Sequence, residues 1–247
     1  MIFIILIIPQ NLMFNKKDRD IIFIHIPKTA GSSITHIIVS KKKNIRWKRD
    51  LGKYFGHDPY ESIQKDNPDI SSLNPFIFSV VRNPFTRAYS CYNMFRVSHN
   101  APITFGDFLN VYLENKYDKD GFLCDRAPGD VYLKHEAWLD FWRNKIIFTP
   151  QYYFLKDING KILNNGINIY KFENLKKVER KLSTLWGERV KLPLSNLGDN
   201  KYYRESYSDD NIEKVLRIYS KDFKIFNYST EFRDSLETDT RKFFWWR

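Results

Sequence analysis

The chain is short of cysteine, of acidic residues and of long apolar runs. Only two of its 247 residues are cysteines, Cys91 and Cys124, and neither belongs to a C-x-x-C pair. That gives no structural zinc signature. One disulfide is formally open, but Cys91 falls on the core-facing side of a predicted helix, so a buried thiol is expected. Asp and Glu number 29 against 40 Lys and Arg, a formal net charge of +11. An anionic partner follows: a nucleotide, a polyanionic glycan, nucleic acid or a lipid surface. Charge alone does not choose among them, and most single lysines are read as solvated surface. The apolar N-terminus, MIFIILIIPQNLMF, is interrupted by Pro9 and diluted by Asn11. It falls short of the ~20 apolar residues a spanning helix needs and lacks the basic start and small-residue cleavage site of a secretory leader. It reads as an edge strand or packed extension, or as the remnant of an anchor. Membrane association stays open, and the cytoplasm is the expected compartment. With 43% hydrophobic and 17% aromatic residues, disorder is excluded, and the length fits one α/β domain with appendages.

A Walker A loop is also missing. The pattern G-x-x-x-x-G-K-[ST] occurs nowhere in IIFIHIPKTAGSS, residues 21–33, where the lysine precedes the glycine. The stretch still reads as an apolar strand, a loop of small and hydroxylated residues, and a helix start. Amides at a helix N-terminus and the helix dipole favour an anion there. Gly31 and Ala30 let the backbone come close, Thr29, Ser32 and Ser33 offer hydroxyls, and Lys28 adds a mobile charge.

The pattern predicts a strand over 21–26, then a helix over 32–40 with Ile34, Ile37 and Ile38 on one face. KKKNIRWKRD at 41–50 either grips a polyanion or is a solvated helix end. Gly56 to Tyr60 is a turn, with Pro59 opening a helix to Asp66. FIFSVV, 76–81, is a strand buried on both faces, ending at Arg82-Asn83-Pro84. A helix follows to 97, then a Thr104-capped helix over 105–115, a loop over 121–129 and a helix over 131–142. Residues 146–148 form a short strand. Asn159-Gly160 signals a hairpin, 167–172 a strand, 174–186 a helix, and 209–219 the last clear helix. Strands alternating with helices give the fold class: α/β, a three-layer sandwich around a mainly parallel sheet. In such sheets ligands sit outside the carboxyl ends of the strands. Lys28 and Arg82 then meet in one crevice, and separate clamps suggest a nucleotide with phosphates at two places.

HIPKTAGSS, GHDPY, FSVVRNPFTRAYSCY, TPQYYFL, YKFENL and NKYYRESY…YSKDFKIFNY occur in that order. Together they resemble the carbohydrate-type (family 2) sulfotransferases, the branch with the heparan and chondroitin enzymes and their bacterial relatives. The likeness runs over roughly residues 21–228. It implies transfer of a sulfuryl group from 3′-phosphoadenosine 5′-phosphosulfate to a sugar hydroxyl, without a metal. By resemblance, Lys28, Thr29, Ala30, Gly31, Ser32 and Ser33 form a P-loop-like 5′-phosphosulfate loop. Arg82 and Ser90 hold the 3′-phosphate, and Asn200, Lys201 and Tyr203 lie in the segment that closes over the cofactor. Ser32 stands where relatives carry threonine. The implied partner is a glycan or other hydroxyl-bearing acceptor, for which the basic balance suits an acidic one, and not a nucleic acid. The expected division is an extension over 1–20, a catalytic domain over 21–230 and an aromatic tail over 231–247.

Lys28 can stabilise charge growing on the bridging oxygen. His57, in a polar turn facing the crevice, is the first candidate for the base, with an unperturbed pKa suited to neutral pH; otherwise it caps the helix. Glu61 is the second candidate. His25 is read as structural, and His36, His99 and His135 have no clear partner. Arg87 is either a counter-charge for cofactor or acceptor or a surface helix residue. Gln151, Tyr152 and Tyr153 line an acceptor groove or fill core. The rivals are a nucleotide phosphotransferase, which needs a metal-holding Asp at a later strand end where FIFSVV has arginine, and a polyanion-binding protein working through 41–49.

Overall fold

A computed structural model describes residues 21–40, 57–70, 72, 74–98, 102–110, 145–163, 166–193 and 202–236. The N-terminal extension, the basic run at 41–50, the expected helix over 131–142, Cys124, His99, His135, Asn200, Lys201 and the FFWWR tail lie outside them.

Three parallel strands form the sheet in the order β1 (Ile21–Ile24), β2 (Phe76–Val81) and β3 (Asn168–Lys171). β2 is central, and its near-continuous apolar sequence is what burial on both faces demands. Side chains alternate across it. Ile21, Phe23, Phe76, Phe78 and Val80 face helices α1 (Gly31–Ser40) and, later in the chain, α5 (Lys176–Trp186), whose Ile34, Ile38, Val178, Leu182 and Trp186 complete that layer. Ile24 and Val81 face the other way, onto Tyr60 of α2 (Tyr60–Asp66), Tyr152, Phe154 and Phe226. At ~1.5–3 kcal/mol for each large apolar side chain fully buried, these two layers hold the sheet. Helical segments thus cover both faces, as the alternation of elements predicts.

A third cluster is largely aromatic. It joins α3 (Pro84–Ser98), α4 (Phe105–Phe108), α6 (Asp209–Ile218) and α7 (Ser220–Ile225) around Phe85, Tyr89, Phe105, Tyr207 and Phe223. Thr104 caps α4 as expected, its hydroxyl accepting from the Asp107 amide at 3.1 Å. Phe232 and Leu236 also pack on this cluster, and the hydroxyls of Tyr203 and Ser235 meet at 2.8 Å.

Several elements differ from expectation. The strand predicted over 21–26 stops at Ile24. Lys145–Phe148 is a 3-10 turn rather than a strand, because a short apolar run carries no period that separates the two. Gln151–Leu155 is also 3-10, so the Asn159-Gly160 turn closes on a single antiparallel bridge, Lys156 with Ile162. α5 begins at Lys176, after a 3-10 turn over Phe172–Asn174. α7 was not foreseen: Tyr219 breaks the helical course at φ −106°, ψ 22°, and the chain resumes a helix at once. Among the described residues no helix is long and apolar enough to cross a membrane.

Candidate functional site

β1 stops where its carbonyls are taken out of the ladder. Five successive carbonyls accept from side chains: Ile24 from Ser79 Oγ at 2.8 Å, His25 from His57 Nδ1 at 3.1 Å, Ile26 from Thr29 Oγ1 at 2.8 Å, Pro27 from Arg87 Nε at 3.0 Å and Lys28 from Arg82 Nη1 at 3.4 Å. In a trans peptide each N–H points opposite to the carbonyl bonded to it, and none of these bonds is cis. Carbonyls drawn into the body therefore turn the following amides the other way. Lys28 and Ala30 are both left-handed, at φ 66° and 71°, with Thr29 between them at negative φ. That is a strained arrangement for side-chain-bearing residues, and alternation of this kind shapes an amide concavity for an anion.

The loop residues are not equivalent. The Thr29 hydroxyl proton is committed to Ile26, Ser33 is buried and Ser32 faces solvent. Gly31 has a reason beyond close backbone approach: a Cβ there would lie 1.6 Å from His25 Nε2. His25 fills that space and packs on His57, ring centroids 4.1 Å apart.

His57 is partly buried in the turn before α2. A carbonyl can only accept, so the contact with His25 fixes the proton on Nδ1 and leaves the Nε2 lone pair for chemistry. Burial pushes the His57 pKa down, the His25 carbonyl opposes this, and the charges of Arg87 and Lys28 lower it further. Lys28 is likewise held below the usual lysine range, first by burial and then by Arg82 and Arg87, with Cys91 acting in the opposite sense. These mutual effects bring Lys28, His57, Arg82, Arg87 and Cys91 into one neighbourhood. Glu61 points elsewhere, pairing with Lys65 at 2.6 Å on the solvent side of α2.

Arg82 occupies the carboxyl end of β2. Its Nε donates to Thr86 Oγ1 at 3.0 Å, and its guanidinium lies 4.3 Å over the Phe172 ring. Nη2 has no intramolecular partner among the described residues. Thr86 and Ser90 are one turn apart on α3, so Ser90 extends the line that Arg82 begins.

Four residues that sequence reasoning missed or misjudged hold this turn. Gln151 is fully buried, the core alternative of its two readings. Its Oε1 accepts from the Arg82 amide and its Nε2 donates to the Arg82 carbonyl, both at 2.8 Å. Asp222, equally buried, accepts from the amides of Gln151 and Tyr152 at 2.8 and 2.9 Å. Burial raises its pKa to about 6, against Arg87 and these hydrogen bonds, which pull it down. Glu173, in the YKFENL stretch, accepts from the Asn83 amide at 3.0 Å and the Tyr228 hydroxyl at 2.9 Å. Arg87, expected as a counter-charge or a surface residue, is wholly buried and donates to three backbone carbonyls. No local signal marks any of these roles, because every partner is distant in sequence. The Cys91 thiol is free and buried, as expected.

Fold and site together define an α/β protein with cationic side chains gathered at the carboxyl ends of parallel strands. Residues 10–126, just under half of the chain, match the model of the sulfotransferase family, which bears out the resemblance to the family 2 sulfotransferases over that span. No curated protein and no solved structure matches the chain. The matched span carries Lys28 to Ser33, His57, Arg82 and Ser90. Gln151, Glu173 and Asp222 lie beyond it.

Proposed function

We propose that this protein transfers a sulfuryl group from 3′-phosphoadenosine 5′-phosphosulfate to a hydroxyl of a carbohydrate acceptor. The family match supports sulfuryl transfer in general; the donor and acceptor are our reading. The observation that carries it is the run of five carbonyls held by side chains, four of them from outside the loop, with two left-handed residues and buried cations beside it. The amides of Lys28 to Ser33 and the Lys28 ammonium suit the 5′-phosphosulfate, while Arg82 and Ser90 suit the 3′-phosphate. Lys201 is assigned the closing role on the resemblance alone.

The donor supplies an activated sulfuryl group on a phosphate leaving group. His57 Nε2 takes the acceptor's proton as that oxygen attacks sulfur, and the proton later passes to solvent. Lys28 holds the negative charge that grows on the bridging oxygen as the bond to the phosphate breaks. The three parties lie in line, as in phosphoryl transfer. The phosphotransferase rival needs a metal-holding carboxylate at a strand end. Here the described strands end at Ile24, Val81 and Lys171, Arg82 follows β2 directly, and Glu173 is engaged by Asn83 and Tyr228.

The test is incubation of the purified protein with the donor and a panel of neutral, acidic and sulfated glycans, reading donor-dependent sulfation of each. Transfer to one glycan class, lost in Lys28→Ala and His57→Ala while the fold is kept, supports the proposal. No transfer to any acceptor, together with no binding of adenosine 3′,5′-bisphosphate, refutes it.

A further inference from the structure

Arg87 is the buried cation that the proposed chemistry does not use. It is 0% exposed, and three of its hydrogen bonds gather separate stretches of chain: Nε to Pro27, and Nη2 to Ile147 and Thr149, each at 3.0 Å. Nη1 is buried and meets no hydrogen-bond acceptor at good geometry among the described residues, although the Tyr219 hydroxyl interacts with the guanidinium. No carboxylate of the described residues pairs with it within 4 Å, although Asp222 acts on it from further away and the Tyr219 ring lies 5.8 Å from its centre. A charge in such a place is costly. A neutral side chain would avoid that desolvation if tying carbonyls together were the whole task.

The Pro27 carbonyl precedes Lys28, the first left-handed residue of the loop. Holding that carbonyl fixes the peptide plane from which Lys28 departs. We infer that Arg87 is a positioning residue of the transfer site, bracing the turn at Lys28 and adding a buried charge that favours an anion in the crevice. The inference rests on the sulfuryl-transfer reading for the ligand's identity, but the brace itself does not. The groups facing Arg87 are Lys28 and His57 across the loop, Cys91 on its own helix, and Tyr219 and Asp222 from the α6–α7 region. His57 faces Lys28, Arg87 and the His25 carbonyl.

Two variants separate the roles. Arg87→Gln removes the charge; Arg87→Lys keeps it, but one ammonium cannot reproduce the planar fork that reaches three carbonyls. Binding of adenosine 3′,5′-bisphosphate is measured by calorimetry, and the titration of His57 by NMR of ring-labelled histidine, assigned with His57→Gln. Arg87→Gln is expected to bind at least about tenfold more weakly and to shift the His57 titration to higher pH. Arg87→Lys is expected to weaken binding similarly while the His57 titration stays near wild type. Folded variants that bind within twofold of wild type, with His57 unmoved, overturn the proposal. If Arg87→Gln fails to fold by circular dichroism, Arg87→Lys decides: wild-type affinity overturns the brace. If the wild type itself binds no bisphosphate, the donor assignment fails, and an upward shift of His57 in Arg87→Gln still supports the charge's role, its absence refuting it.

Discussion

Replacing Gly31 by alanine sets helix propensity against packing at the most crowded point of the site. Gly31 opens α1, and alanine in place of glycine favours a helix by up to ~1 kcal/mol, less at an end. The added Cβ would lie 1.6 Å from His25 Nε2, 1.8 Å from Cδ2 and 2.5 Å from Cε1, where ordinary contact begins at 3.4 Å. The imidazole must retreat by about 1.8 Å, the difference between 1.6 and 3.4 Å. It has little room, with Phe23 stacked on it at 5.6 Å and His57 at 4.1 Å between centroids. Overpacking of this kind costs ~1–3 kcal/mol, so the steric loss exceeds the propensity gain. For a chain of this size a net ~1 kcal/mol lowers the melting temperature by about 2–4 °C. The functional effect is larger. The His25 carbonyl fixes His57, and a ~1 Å misplacement of a reacting group costs about a hundredfold in rate. Thermal melts and donor-dependent sulfation check both parts. An alanine variant that melts at or above wild type and transfers at the wild-type rate would refute the reasoning, since His25 would then swing aside freely.

Three further outcomes are expected. The pH–rate profile should be bell-shaped: rate rises as His57 loses its proton, at a pH below the usual histidine value, and falls as Lys28 loses its own, below the usual lysine value. A flat profile between those limbs and beyond them would remove both groups from the chemistry. Arg82→Ala should weaken adenosine 3′,5′-bisphosphate by about ten- to a hundredfold, as the loss of charge-assisted hydrogen bonds predicts, with kcat at saturating donor changed far less; calorimetry and steady-state kinetics distinguish the two. Asp222→Asn should show a stability difference that depends on pH. Burial pushes the folded carboxyl up to about 6 from the ordinary 3.8, so its favourable contribution is complete below 3.8 and is lost as pH rises through about 6. A side chain that cannot ionise escapes that loss, of the order of 3 kcal/mol. The melting temperature of Asp222→Asn relative to wild type should rise between pH 4 and 7, and parallel curves would contradict the assignment.

The parts of the site legible in sequence are those whose signal is local. A strand, a lysine, small residues and a helix start are contiguous over 21–33, and Arg82 to Ser90 is likewise one strand end and two helical turns. His57 was legible because Gly56 and Pro59 mark a turn between elements that the sheet's polarity aims at the crevice. The supporting residues carry no such mark. Gln151 lies 69 residues from Arg82 and Glu173 lies 90 from Asn83, so their partners exist only once the chain has folded. Arg87 misled for a related reason: a charged residue on a helix is ordinarily solvated, and only the carbonyls of Pro27, Ile147 and Thr149 make its burial tolerable. The 3-10 turn at Lys145–Phe148 shows the limit from the apolar side, because a run of KIIF fits a strand and a short helical turn equally well.

The arrangement of Gln151 explains how a central strand can be followed at once by a buried arginine. Where β2 ends, the amide and carbonyl of Arg82 still need partners, and leaving both unmade in a buried site would cost ~1–3 kcal/mol each. A neighbouring strand would satisfy them but would occupy the space beside the crevice. Gln151 meets both groups with one side-chain amide, its oxygen and nitrogen standing in for the carbonyl and N–H of a strand residue. Asp222 then holds the backbone of Gln151 and Tyr152, and Glu173 takes the next amide, that of Asn83. The backbone of the turn is thereby saturated from behind, and the Arg82 side chain reaches forward to Thr86 Oγ1 and the Lys28 carbonyl. Arg82, from the family-matched span, is thus held in place by polar residues beyond it, so on the proposed reading donor affinity is expected to depend on the folding of the second half of the chain as well as on the loop itself.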